Sequence, residues 1–234
     1  MNPRATIILE QLAGVAAERA QRAADPALDA RAAAIKQYQQ RRFASTHADL
    51  LASARYGAAS RFFLEELYGP RDFTRRDQQF ARVVPAMVRL FPREVIDTVA
   101  DLATLHALTE QLDSLMARNL DALPVGALGY AAAWRAGGQP QSRERQIVLT
   151  VGVGASIDRL THRALLRRSL HLMRGPARAA GLGALQAFLE SGFDTFKAMN
   201  GADEFLATVG SRERSLAAAL FASDATSDLL GQLP

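Results

Sequence analysis

Cysteine is absent from the chain, which rules out disulfides, thiolate metal sites and thiol nucleophiles together. Lysine is nearly absent: Lys36 and Lys197 are the only two, so the other 26 of the 28 basic residues are arginine. Aromatic residues make up 7%, so the core has to be filled mainly by Ala, Leu and Val. No apolar run reaches the roughly 18 residues of a membrane span. The N-terminal MNPRATIILEQLAGVAAERA carries a basic residue and a short apolar run, but Glu10 and Gln11 interrupt it. It reads as an amphipathic first helix and not as an export signal, and a cytoplasmic chain is expected. The serines stand in no G-x-S-x-G context, and the four histidines mark no general base.

What is present points to helix. Alanine, the strongest helix former, is roughly a fifth of the chain. Apolar residues at 49% of 234 can bury a sizeable core, and the net charge of +4 is modest for this length. No internal repeat or low-complexity linker interrupts the pattern. The expectation is an all-α, single-domain bundle of about eight to ten helices over 1–222, with a frayed tail over 223–234.

Breakers and caps place the elements. A first helix is expected over 5–23, then Asp25-Pro26 as a cap with proline at the first helical position, opening a second over 28–44. Thr46 with Asp49, and Thr74 with Asp77, resemble capping boxes that open helices over 47–68 and 74–91. Pro85 falls inside the latter, and Pro92 opens a long helix to 119 with Leu105, Leu108, Leu112 and Leu115 as its core stripe. A short helix holding Trp134 lies between Pro124 and Gly137-Gly138. Ser142 is expected to cap a helix over 143–173 that Gly175-Pro176 ends, with two further helices over 182–199 and 202–222. The β-branched stretch 147–151 also suits a buried strand, but no partner strand is apparent, so helix is preferred.

Two stretches carry a resemblance. Phe62-Phe63-Leu64-Glu65-Glu66-Leu67-Tyr68-Gly69-Pro70-Arg71-Asp72-Phe73 with Arg76-Asp77, and later Gly192-Phe193-Asp194-Thr195-Phe196 with Gly201 to Leu206, are similar to an uncharacterised bacterial all-helical family with an FFLxELYGPxDFxxRD signature. The resemblance implies one helical domain and carries over no catalytic residue or cofactor. The first stretch reads either as a structural corner or as a pocket mouth, with Tyr68, Asp72, Arg76 and Asp77 as its polar groups.

Three other patterns invite chemistry. His106, Glu110 and Asp113 lie at i, i+4 and i+7 of one helix, and Asp158 and His162 at i and i+4 of another. If the two faces meet they supply imidazoles and carboxylates to a bundle metal site; otherwise they are solvated faces. Val151-Gly152-Val153-Gly154 follows an apolar run as a nucleotide loop would, yet a G-x-G without alternating strands also serves close helix packing. Arg159, Arg163, Arg167 and Arg168 form a stripe where acidic residues are sparse, suited to phosphates or to internal salt bridges. The leading functional expectation is a non-enzymatic protein working through protein contacts or as a homo-oligomer. A bundle metal or small-ligand site comes second, and nucleic-acid binding through the arginine-rich helix third.

Overall fold

The computed structural model describes residues 2–67, 73–222 and 233–234. Among them the chain is all α, with no strand. Helix α1 (Pro3–Ala23) starts on Asn2, whose side chain accepts from the Arg4 amide. α2 (Pro26–Thr46) starts on Asp25, whose Oδ1 accepts from the amides of Ala27 and Leu28. The Asp-Pro signal thus acts as the sequence suggests.

The expected single helix over 47–68 is instead α3 (Ala48–Ala52), α4 (Gly57–Phe62) and a π-helical turn (Phe63–Leu67). Ser53 makes the break. Its backbone is extended, and its Oγ accepts from the amides of Arg55 and Tyr56. Thr46 caps nothing, being the last residue of α2, and Asp49 instead pairs with Arg212 through two contacts of 2.6 and 2.8 Å.

α5 (Thr74–Leu90) keeps Pro85 within it, and Pro92 precedes α6 (Arg93–Arg118). α7 (Ala127–Gly137) carries Trp134. The ambiguous 147–151 stretch lies inside α8 (Pro140–Thr161), as helix. Its cap is Gln139 and not Ser142, whose hydroxyl bonds Gln139 Oε1. The helix expected to reach 173 stops at Thr161, whose hydroxyl turns back to the Asp158 carbonyl, and Arg163 is extended. α9 (Ala164–Leu172) and α10 (Arg174–Ala179) follow, α10 running through Gly175-Pro176 because proline fits a first turn. α11 (Gly183–Met199) ends on left-handed Asn200 and Gly201. The Arg55 guanidinium donates to the carbonyls of Met199, Asn200 and Gly201 there. α12 (Asp203–Phe221) completes the described helices.

α6 is the central helix, packed on α1, α2, α7 and α8. It is buried on more than the leucine stripe: Ala100, Ala103, Ala107 and Ala117 let neighbours approach closely, while Glu110, Asp113 and Ser114 are buried polar groups. The three largest apolar clusters among the described residues fill the spaces between the helices. Ile8, Leu12, Val84 and Ile96 form one; Phe43, Phe62, Phe63, Phe196 and Phe205 another; Ile35, Tyr38, Met116, Tyr130, Trp134 and Leu220 the third. Both cavities described below lie in the seams between these clusters.

Candidate functional site

Helical spacing aims His106, Glu110 and Asp113 of α6 at the same side, and that side faces a cavity of about 100 Å³. α5 supplies Arg76, Asp77 and Phe80 to it, α2 supplies Lys36 and Gln39, α8 supplies Gln146 and Thr150, and α11 supplies Leu185, Phe188 and Leu189. Phe73, Phe80, Val99, Leu102, Leu105 and Phe188 make part of the lining apolar and partly aromatic. Lys36, Arg76, Asp77, His106, Glu110 and Asp113 make another part charged or ionisable. This is the composition of a small-ligand site: mostly apolar lining with a few convergent polar groups.

The charged part is one connected network. Glu110 Oε1 accepts from Lys36 Nζ at 2.8 Å and from Arg19 Nη2 at 3.0 Å, and its Oε2 accepts from Arg22. Arg22, itself buried, also donates to Ser114 Oγ at 2.7 Å. Arg19 Nη1 reaches Asp77 Oδ2 at 2.9 Å, so one guanidinium from α1 ties α5 to α6. The same Asp77 oxygen accepts from His106 Nε2 at 2.9 Å. A carboxylate only accepts, which assigns the proton to Nε2 even though Arg19 Nη2 lies 3.4 Å from the same nitrogen.

These contacts set the carboxyl groups apart. Burial alone would raise Glu110, but Lys36, Arg19 and Arg22 overcome it and hold the group at about 2. Asp77 is lowered as well, burial being outweighed by His106, Arg19 and Arg76. Asp113 goes the other way: burial pushes it up, with Lys36 opposing from 3.9 Å. Its Oδ1 is buried without a hydrogen-bond partner among the described residues.

Arg76 sits between two rings, its guanidinium carbon 3.9 Å from the centroid of Phe73 and 4.3 Å from that of Phe188. Its Nη1 donates to Glu66 Oε2 at 3.2 Å. Burial pulls Arg76 below its ordinary value while Asp77 and Glu66 oppose the shift.

The structure therefore brings together groups that the sequence suggested for two different sites. Arg76 and Asp77, offered as a pocket mouth, share one cavity with His106, Glu110 and Asp113, offered as metal ligands. Tyr68 and Asp72 lie outside the described residues. Asp158 and His162 do not line the cavity. Asp158 is eight residues beyond Thr150, about 12 Å along α8, and His162 is exposed at its end. Among the described residues no three His, Asp or Glu groups are placed to hold a metal ion. Sequence reasoning missed Lys36, Gln39, Gln146, Phe80 and Phe188, each on a helix whose spacing says only which face is buried.

The arginine stripe is spent largely within the fold. Arg159 and Arg163 pair with Glu94 at the start of α6, and Arg167 with Asp194 of α11 at 3.1 Å. Arg168 is exposed. Gly154 of the G-x-G segment does serve close packing: a Cβ there would lie 2.5 Å from Leu206 Cδ2 of α12, whereas one at Gly152 would meet nothing within 4 Å.

No helix among the described residues is long and apolar enough to cross a membrane. No curated protein matches the chain. No solved structure matches it either. Residues 18–227 match a family model, and the chain belongs to that family, described as a domain of unknown function (DUF8198).

Proposed function

We propose that this protein binds a small amphipathic molecule in the cavity enclosed by α1, α2, α5, α6, α8 and α11. One observation carries the reading. A charged network and aromatic and aliphatic side chains line one cavity of about 100 Å³, and the buried Asp113 among them keeps an oxygen without a hydrogen-bond partner among the described residues. Buried polar atoms in folded proteins are nearly always satisfied, so an orphan beside a cavity points to an occupant. The reading is binding and not turnover: His106 Nε2 is committed to Asp77, and the cavity-lining hydroxyls of Thr109 and Thr150 are engaged by the Gln146 side chain and carbonyl.

The test uses anilinonaphthalene sulfonate, an amphipathic fluorescent probe. Native protein is expected to bind it at a single saturable site. Leu102→Trp, which fills the cavity from α6, is expected to weaken binding roughly tenfold or more, about 1.4 kcal/mol, while unfolding stays cooperative. Equal binding by the variant, or no saturable binding by the parent, overturns the proposal.

A second reading, action through protein contacts, rests on α9. Leu165 and Leu172, seven residues apart on one helix face, are 77% and 78% exposed, with Met173 beside them. Light scattering tests it: the parent should self-associate or hold a partner, and Leu165→Ser with Leu172→Ser should abolish this. A monomer unaffected by the changes contradicts it. The cysteine-free composition fits a cytoplasmic setting for either reading.

A further inference from the structure

A second, smaller chamber of about 30 Å³ adjoins the main cavity, and Gln39, Gln146 and Thr150 line both. Its other walls include Tyr130 and Trp134 of α7, Arg143 of α8, and Glu213 of α12. The chamber is rich in donors. Trp134 Nε1 can only donate, and it is buried without a partner among the described residues. The hydroxyl of Tyr130, a fully buried residue, is in the same state. Burial pushes that phenol above its ordinary value, so it remains an O–H.

Arg143 lies with its guanidinium carbon 3.8 Å from the Trp134 ring centroid, and its Nη1 donates to Gln146 Oε1 at 3.2 Å. Stacking fixes the plane of the guanidinium fork, the group best matched to a carboxylate. The carboxylate already on this wall, Glu213, has its Oε1 engaged by Arg42 and by His47 Nε2. It leaves the indole and phenol donors unanswered.

We propose that this smaller chamber is an anion subsite, receiving the carboxylate of a ligand whose apolar part fills the larger cavity. The proposal rests on the reading of that larger cavity as a ligand site. Donor geometry selects the head group: a planar guanidinium with an indole N–H and a phenol O–H on the same chamber matches the two oxygens of a carboxylate. The ligand class is then a short amphipathic acid, with its tail against Phe80, Leu102 and Phe188.

Trp134 is the chain's only tryptophan, so its emission reports on this chamber directly. The experiment titrates the intact protein with hexanoate and with hexan-1-ol, following Trp134 emission and displacement of the naphthalene probe in parallel. Hexanoate should displace the probe and change the emission saturably, with affinity roughly tenfold or more above that of hexanol. Arg143→Gln should remove this preference. Because that change also removes the stack on Trp134, Tyr130→Phe serves as the conservative partner: it deletes one hydroxyl and should weaken hexanoate without affecting hexanol. Equal affinity for acid and alcohol, with probe displacement by both, means that the small chamber holds water only. That overturns the anion subsite and leaves the main cavity standing. Failure of both compounds to displace a bound probe overturns the amphipathic acid as ligand, while failure of the probe itself to bind removes the cavity reading beneath it.

Discussion

Glu110 and Glu213 are buried carboxylates, and each is held by side chains from distant helices. Glu110 is held at about 2 by α1 and α2 cations, and Glu213 at about 2 by Arg42 and His47, in both cases against the upward push of burial. A carboxylate whose folded value lies below its ordinary 4.5 favours the folded state above that pH. Its contribution is lost as pH falls from about 4.5 toward 2, on the order of 3 kcal/mol for each group. Urea denaturation at pH 7 and pH 3 should show this loss, and Glu110→Gln should flatten the dependence. The same variant should cost about 3–5 kcal/mol at neutral pH, because Arg22 is left buried beside an uncharged amide. Asp113 has the opposite sign. Its folded value is raised, so ionisation above its ordinary 3.8 opposes folding. Asp113→Asn should therefore raise the melting temperature at pH 7 and change it little at pH 3; a lower value at pH 7 would contradict the assignment.

Helices crossing at short range set the second scale. α8 and α12 meet through Gly154, facing Leu206, and Gly210, where a Cβ would lie 3.0 Å from Val151 Cγ2. Gly154→Ala should overpack this crossing and destabilise by about 1–3 kcal/mol, while Gly152→Ala, on open space, should be neutral or slightly stabilising through helix propensity. Equal effects at the two glycines in thermal unfolding would show that the crossing is looser than described. Element boundaries were legible where the signal was local. Asp25-Pro26 and Pro92 mark real starts, and the break expected between 199 and 202 falls on left-handed Asn200 and Gly201. They were illegible where a side chain had two possible partners. Asp49 and Asp77 stand at capping-box spacing, yet one pairs with Arg212 and the other with Arg19 and His106. Spacing within a helix carries no record of which remote cation will arrive.

The same limit governs the molecule as a whole. The i, i+4, i+7 face of His106, Glu110 and Asp113 could be read directly, as could the nearness of Arg76 to Asp77 along the chain. That these two groups share a cavity follows from Arg19 bridging α5 and α6, a contact 58 residues apart in sequence on one side and 91 on the other. Lys36 and Gln39 looked like part of an ordinary Ala-Gln-Arg helix, and Phe188 like core. Two orphaned donors in the second chamber, Tyr130 and Trp134, are invisible to any pattern because orphanhood is a property of packing. The arginine stripe was legible as charge, and its pairing with Glu94 and Asp194 was not.

The central claim, a ligand site in the cavity lined by apolar and charged side chains, is most directly tested by methyl-detected NMR of Leu- and Val-labelled protein titrated with hexanoate. The account predicts saturable shifts at the cavity-lining Val99, Leu102, Leu105, Leu185 and Leu189, with the exposed Leu128 and Leu165 unmoved. Shifts confined to Leu165 and Leu172, or no saturable shift at the cavity methyls, would contradict it.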